Sequence, residues 1–239
     1  MQKSNQSSAF ILGAFVALGF TLLGYLLANA AIEFKQYERS VTVKGLSERD
    51  YPADIVIWPI QFITAGNDLE SLYEGIENNT DNIVAFLVLN GINNDEITFA
   101  SPAISDKLAQ QYNNNVSNEF RYSASQTVTV YSKNIDIVRS VMGKLSELGK
   151  QGIVFTGEDY RSQIEYLFTR LNEIKPEMVE EATRQAREVA QKFATDSQSQ
   201  LGKIKRASQG QFSISHRDKN NPHIKKIRVV STVEYYLSD

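Results

Sequence analysis

The chain of 239 residues contains no cysteine, which removes disulfides, thiolate nucleophiles and thiolate metal sites from consideration. Imidazole is almost as scarce. His216 and His223 are the only two histidines; they flank one turn-like stretch, and Asp218 is the sole nearby carboxylate that would extend a metal set. Histidines on exposed loops are far commoner than ligands, so no metal is expected. "SELGKQG" lacks the spaced glycines and the Ser or Thr of a phosphate loop, and no Gly-x-Ser-x-Gly elbow occurs. Asp95 with Glu96, Glu158 with Asp159 and Glu180 with Glu181 are acidic neighbours, and adjacent side chains diverge on a helix or strand, so none makes a catalytic carboxylate pair by itself. No cofactor and no small-molecule ligand are therefore expected. A net charge of −3 argues against general affinity for nucleic acid, and no aromatic stacking platform is evident.

What the sequence does have begins at residue 9. "AFILGAFVALGFTLLGYLLANAAI" carries no charge, and Thr21 and Asn29 are its only strongly polar side chains. As a helix it spans about 36 Å against a hydrocarbon core of about 30 Å. Its eleven Leu, Ile, Phe and Val residues between Phe10 and Leu27 contribute about −3 to −7 kcal/mol of insertion free energy. The run exceeds the 7 to 15 residues usual in a secretory signal, which favours a retained anchor over residues 9–32 between a tail at 1–8 and a connector at 33–39. Ala28 and Ala30 meet the small-residue rule of a signal peptidase, so cleavage near Ala30, releasing a soluble protein, is the alternative. Lys3 precedes the segment while Lys35, Arg39, Lys44 and Arg49 follow it. That bias favours a cytoplasmic domain, although long downstream domains are exported largely regardless of it. Ala9, Gly13, Ala17 and Thr21 recur every four residues and would let two anchors pack closely.

Residues 40–239 suffice for a proper core. "SVTVKGL" alternates like a strand with Gly45 as its end, and "DIVIWPIQFIT" is a strand apolar on both faces, which predicts cover on both. Pro59 within it predicts an edge or a bulge. Helical spacing runs from Asn67, in a capping-box relation to Glu70, to a stop at Gly91, with Leu69, Leu72, Tyr73, Ile76, Ile83 and Leu87 inward. Strands follow at "EITFASPAI" and "EFRYSASQTVTVYS", joined by an Asn-rich tip. A second helix is predicted from Asn134 through Leu148, then a strand at "SQIEYLFTRL". The longest helix runs from about Asn172 to Gln200, with Ala182, Ala186, Ala190 and Ala194 as a ladder of close approach and Glu180–Arg184 and Glu188–Lys192 as exposed pairs. "KIKRASQGQFSISH" and "KKIRVVSTVEYYL" close the chain as a hairpin around "RDKNNP". Helices interspersed with hairpins predict an α+β fold of mainly antiparallel strands with about three helices beyond the membrane segment.

Two blocks carry a family resemblance. "VTVKGLSERDYPADIVIWPIQF", with Gly45, Pro52, Ala53 and Asp54, resembles the opening hairpin of SIMPL-domain proteins, although "KGLSER" stands where many members have a Gly-x-Gly-like turn. "EATRQAREVAQKFATDSQSQLGKI" is similar to the family's Ala-rich helix ending in Leu-Gly-Lys-Ile. The resemblance covers about residues 40–237. It implies an exported or envelope-anchored bacterial protein: the inner membrane holds residues 9–32, the domain lies in the periplasm, and the role is in envelope or oxidative-stress defence. It also implies assembly, since the family includes a ring-like oligomer, and it supplies no catalytic residue to carry over.

Between Lys203 and Arg228 stand eight basic residues against Asp218, whereas the rest of the chain has 17 basic and 27 acidic. Such asymmetry steers anionic partners or pairs a basic hairpin with an acidic helix of a neighbouring copy. Protection of exposed strand edges explains the same residues. The reading is thus a non-enzymatic, membrane-tethered, self-assembling protein. Its assembly candidates are Trp58, Ile60 and Phe62 on the bifacially apolar strand and Lys203, Lys205, Arg206, Arg217, Lys225, Lys226 and Arg228 on the basic hairpin. The alternatives are an anion- or lipid-binding envelope module acting through that hairpin, and an enzyme of unrecognised type.

Overall fold

The computed structural model describes residues 3–37, 39–109, 120–156 and 163–238, with side chains 3–8, 34, 36 and 37 excepted. The Asn-rich tip and the Glu158–Asp159 pair lie outside the described residues. The fold is α+β with antiparallel pairing, and the chain divides into two compact units. The first comprises 1–48, 174–213 and 228–239, and the second 49–173 and 214–227.

Helix α1, Lys3–Tyr37, opens the first unit. Its stretch Ala9–Glu33 is long and apolar enough to cross a membrane, and none of that stretch is buried by the chain. Thr21 turns its hydroxyl back onto the carbonyls of Ala17 and Leu18, so that hydroxyl is satisfied within the helix, as a membrane-spanning helix would require. The helix continues to Tyr37, into the stretch expected to be a connector.

Strand β1, Ser40–Pro52, follows, so Gly45 does not end a strand but sits inside one. The reason lies in helix α5, Leu171–Asp196, where Met178, Ala182, Ala186, Ala190 and Ala194 are fully buried. A Cβ on Gly45 would collide with the carbonyl of Ala182 and the amide of Ala186. Glycine on the strand and alanine on the helix together permit a backbone approach that larger side chains forbid. The strand then holds α5 further with Ser47, whose hydroxyl donates to Glu181 at 2.8 Å. The sheet of β1 is completed by β10, Ile224–Ser238, in the middle and β8, Gln200–Gln209, at the far side; β9, Ser213–His216, also pairs with β10. The predicted closing hairpin is therefore present.

In the second unit β2, Ile55–Gly66, is the centre of a six-stranded sheet. It does not form a hairpin with β1, which belongs to the other sheet. Along one side it pairs with β5, Tyr122–Ser132, from Val56↔Ser132 to Gly66↔Tyr122. Along the other it meets β7, Glu165–Leu167, only at Ile55–Ile57 and β6, Val154–Phe155, only at Phe62–Ile63. Pro59 falls in the gap between them. Gln61 accepts from the Thr156 amide on that side, and alternation turns the nitrogen of Pro59 the same way. Among the described residues, the missing donor thus faces a stretch without a partner strand, which is how a proline survives in a central strand. Outside β5 lie β3, Ile97–Phe99, and β4, Ala103–Asp106.

Helices α2, Leu69–Leu89, α3, Ile135–Met142, and α4, Ser146–Lys150, complete this unit. Val56, Trp58, Ile60 and Phe62 from β2, Ala124, Val128 and Val130 from β5 and Leu72, Ile76, Ile83 and Leu87 from α2 form one buried cluster. Cover on the second face of β2 is partial: Ile55 is buried, Ile57, Pro59 and Gln61 are half-buried and Ile63 is exposed. The cap of α2 is Asp68, which accepts from the Ser71 amide at 2.9 Å, one residue later than expected, because Asn67 instead accepts from the Arg121 amide. Leu69 and Tyr73 point outward. The second predicted helix is broken at Gly143 into α3 and α4.

Candidate functional site

Strand β10 alternates Lys225, Ile227, Val229, Ser231, Val233 and Tyr235 on its buried side. Lys225 therefore stands where the pattern of a two-faced strand puts an apolar residue, and it is only 5% exposed. Its Nζ lies 2.8 Å from Nδ1 of His216. Burial pushes the Lys225 ammonium toward the neutral form, with the Glu165 carboxylate opposing. His223 packs its ring edge-on against Tyr166, and Asp218 accepts from the amides of Asn220 and Asn221 while pairing with Arg217 at 2.9 Å. The two histidines and the aspartate thus serve three separate local purposes.

The remaining basic residues divide. Lys205 pairs with Glu234 at 3.1 Å and sits over the Tyr236 ring, and Glu234 is held below its ordinary range by the Ser40 hydroxyl first and Lys205 second. Lys203, Arg206 and Arg228 are exposed. The basic run is consequently not one patch: Lys225 is inside, Lys226 is half-buried, Lys205 and Arg217 are paired, and the exposed charge is spread over β8 (Lys203, Arg206), the turn (Lys219) and β10 (Arg228). Every residue of that strand except Leu201 is exposed, and among the described residues it pairs on one side only, with β10.

Trp58, Ile60 and Phe62 are between 1% and 4% exposed inside the second unit's core. The assembly role expected of them has no surface to act through, because α2 uses that surface first.

Two cavities are more informative. In the first unit a groove of about 920 Å³ runs between α5 and β8. Its apolar lining is Leu201, Ile204 and Tyr235, and its cations are Arg184, Arg187 and Lys203. Glu180 is its one acid, and among the described residues neither a hydrogen bond nor an ion pair joins it to Arg184. The pair expected from their spacing is therefore absent, and Arg184 is left open. Reading α5 as a decorated solvent face hid Arg184 and Arg187; the signal was that both sit one turn apart beside a basic strand.

In the second unit a cavity of about 480 Å³ is lined by Tyr73, Thr80, Phe99 and Gln126 together with the acids Glu77 and Asp81. Its floor is rigid, since Gln126 accepts from Thr80 and donates to the Ala100 carbonyl, both at 2.9 Å. Phe99 is 63% exposed. Glu70, Glu74, Glu77 and Asp81 follow at helical spacing along the exposed side of α2, so this surface is acidic with an aromatic rim.

The SIMPL family model, described as a protein of unknown function (DUF541), matches residues 41–233. The chain belongs to the SIMPL family. The match runs from β1 to β10 and so includes both sheets and α5, while the apolar helix precedes it. No curated protein sequence matches the chain.

Proposed function

We propose that this SIMPL-domain chain is a non-enzymatic protein held in the bacterial inner membrane by residues 9–32, with residues 40–239 in the periplasm, and that it assembles head to tail with copies of itself in envelope or oxidative-stress defence. The observation that carries the assembly is the presence of two exposed, complementary surfaces on one chain. One is the basic strand β8, whose outer edge has no partner strand among the described residues. The other is the acidic, aromatic-rimmed side of α2 around Tyr73 and Phe99. An edge strand is a ready template for another chain, and different surfaces meeting head to tail close into rings when the rotation permits. Tethering is supported by an apolar helix of spanning length that the chain leaves uncovered.

The full chain in detergent provides the assembly test. Light scattering should show a multiple of the monomer mass that falls on Arg206→Glu and on Phe99→Asp, and recovers when Arg206→Glu is combined with Asp81→Arg. A monomeric parent, or variants with unchanged mass, refutes assembly by these surfaces. Protease added to intact spheroplasts should degrade the C-terminal hairpin if the domain is periplasmic. Survival of a deletion strain equal to the parent under peroxide and envelope stress would remove the defence role.

A further inference from the structure

We infer that the groove between α5 and β8 is a binding site for an anionic phospholipid, with the headgroup phosphate on Arg184, Arg187 and Lys203 and acyl chain on Leu201, Ile204 and Tyr235. The three cations lie around one cavity, and among the described residues no carboxylate is paired with any of them. Arginine guanidinium groups present a fork of donors that matches phosphate oxygens. The volume of about 920 Å³ is at the upper end of what small-molecule sites enclose, enough for a headgroup with part of a chain. Glu180 stands in the same groove and disfavours a second anionic group there, which fits a ligand with one phosphate and an apolar remainder.

Chain length supplies the second argument, and it rests on the tethering proposed above. The apolar stretch ends at Glu33, α1 ends at Tyr37, and β1 begins at Ser40. Four helical steps rise about 6 Å, and three extended steps reach at most about 11 Å. The strand that packs on α5 thus starts within about 17 Å of the end of the span. The unit that carries the groove is thereby tied to the bilayer, and clustered Lys and Arg at a surface holding anionic headgroups are drawn to them.

The test uses the full chain purified in detergent and offered equal amounts of phosphatidylglycerol, phosphatidylcholine and oleate, with retained lipid counted by native mass spectrometry. Phosphatidylglycerol should be retained over phosphatidylcholine at least fivefold. Arg184→Gln with Arg187→Gln should abolish that preference, whereas Arg184→Lys with Arg187→Lys should keep most of it and Lys219→Gln, outside the groove, all of it. Circular dichroism melts equal to the parent establish that the glutamine variant is folded, and the lysine variant carries the test if it is not. Equal retention of the two lipids overturns the inference. So does a preference that survives the glutamine pair, which would assign it to the apolar helix, or retention of oleate in place of phosphatidylglycerol, which would assign a free acyl anion. Release of the chain from native membranes by carbonate would defeat the tether alone, leaving the lipid count to decide the groove.

Discussion

The two units of this chain are built from side chains of opposite size. The second unit fills its interior with Trp58, Phe62, Leu72, Ile83, Leu87 and Val128, a continuous cluster under α2. The first unit packs α5 on its sheet through alanine: the apolar cluster there is Val43, Ala186, Ala190, Val233 and Tyr235. Large side chains bury more area per residue, and deleting one leaves a cavity that the surroundings refill only in part. Small ones gain from closeness of backbones and tolerate no addition. The difference teaches where exposure is permitted. A unit held by close backbone contact along one line leaves a groove between α5 and β8, where Arg184, Arg187 and Lys203 stand open, and among the described residues leaves one edge of β8 without a partner strand.

The comparison is broken hardest by subtraction in the second unit. Phe62→Ala removes a side chain that is 1% exposed and should cost about 3–5 kcal/mol. Trp58, the chain's single tryptophan, sits in the same cluster, so its fluorescence reports the loss directly as an earlier melt. The matching test in the first unit is an addition. Gly45→Ala puts a methyl group against the α5 backbone at Ala182 and Ala186, and overpacking of this severity should cost about 3 kcal/mol. Far-ultraviolet circular dichroism should show earlier loss of helix. If Gly45→Ala proves neutral, the account of α5 as a backbone-close helix is wrong.

A smaller change sharpens the contrast with opposite sign. Lys225 is a cation on the buried side of β10, with the His216 ring against its Nζ and burial favouring the neutral amine. Its folded pKa is lowered, so at neutral pH the charged unfolded form is favoured and the residue costs stability. Lys225→Met should therefore stabilise by about 1 kcal/mol, raising the melting temperature by about 2–4 °C. A lower melting temperature would mean that the His216 contact outweighs the burial.

These residues also mark how far the sequence could be read. Alternation located β1, a run apolar on both faces located β2, turn residues between two strand-like runs located β10, and the four-residue alanine ladder found the buried line of α5, because burial imposes such patterns. The strand role of Gly45 was hidden: its reason is the α5 backbone some 140 residues away, and local turn statistics favour reading glycine as a stop. Lys225 obeyed the period of its strand while violating its polarity, so composition placed it in a surface patch. Glu180 and Arg184 have pairing distance in sequence but not in space, since the sheet beside α5 offers the arginine a groove instead. Asn67 lost its cap to Asp68 through a tertiary bond to Arg121. In each case a long-range contact overrode a sound local rule.

The least of the expected effects concerns acid. His223 is half-buried beside Tyr166, and burial holds its pKa below the ordinary histidine value; Arg139 and Arg217 push it the same way, while Asp136 and Asp218 oppose. The folded chain binds this proton less readily than the unfolded chain. Stability is then complete above the unfolded value of about 6.5 and declines as pH falls from there toward the lower folded value. Melting curves between pH 7.5 and 5 should show this decline by Trp58 fluorescence, since His223 and Trp58 belong to the same unit. His223→Gln carries no titrating ring and should flatten that limb while leaving the melt at pH 7.5 close to the parent's. The same slope in the variant would trace the acid sensitivity to another group, and a steeper fall of helix signal than of fluorescence would place it in the first unit.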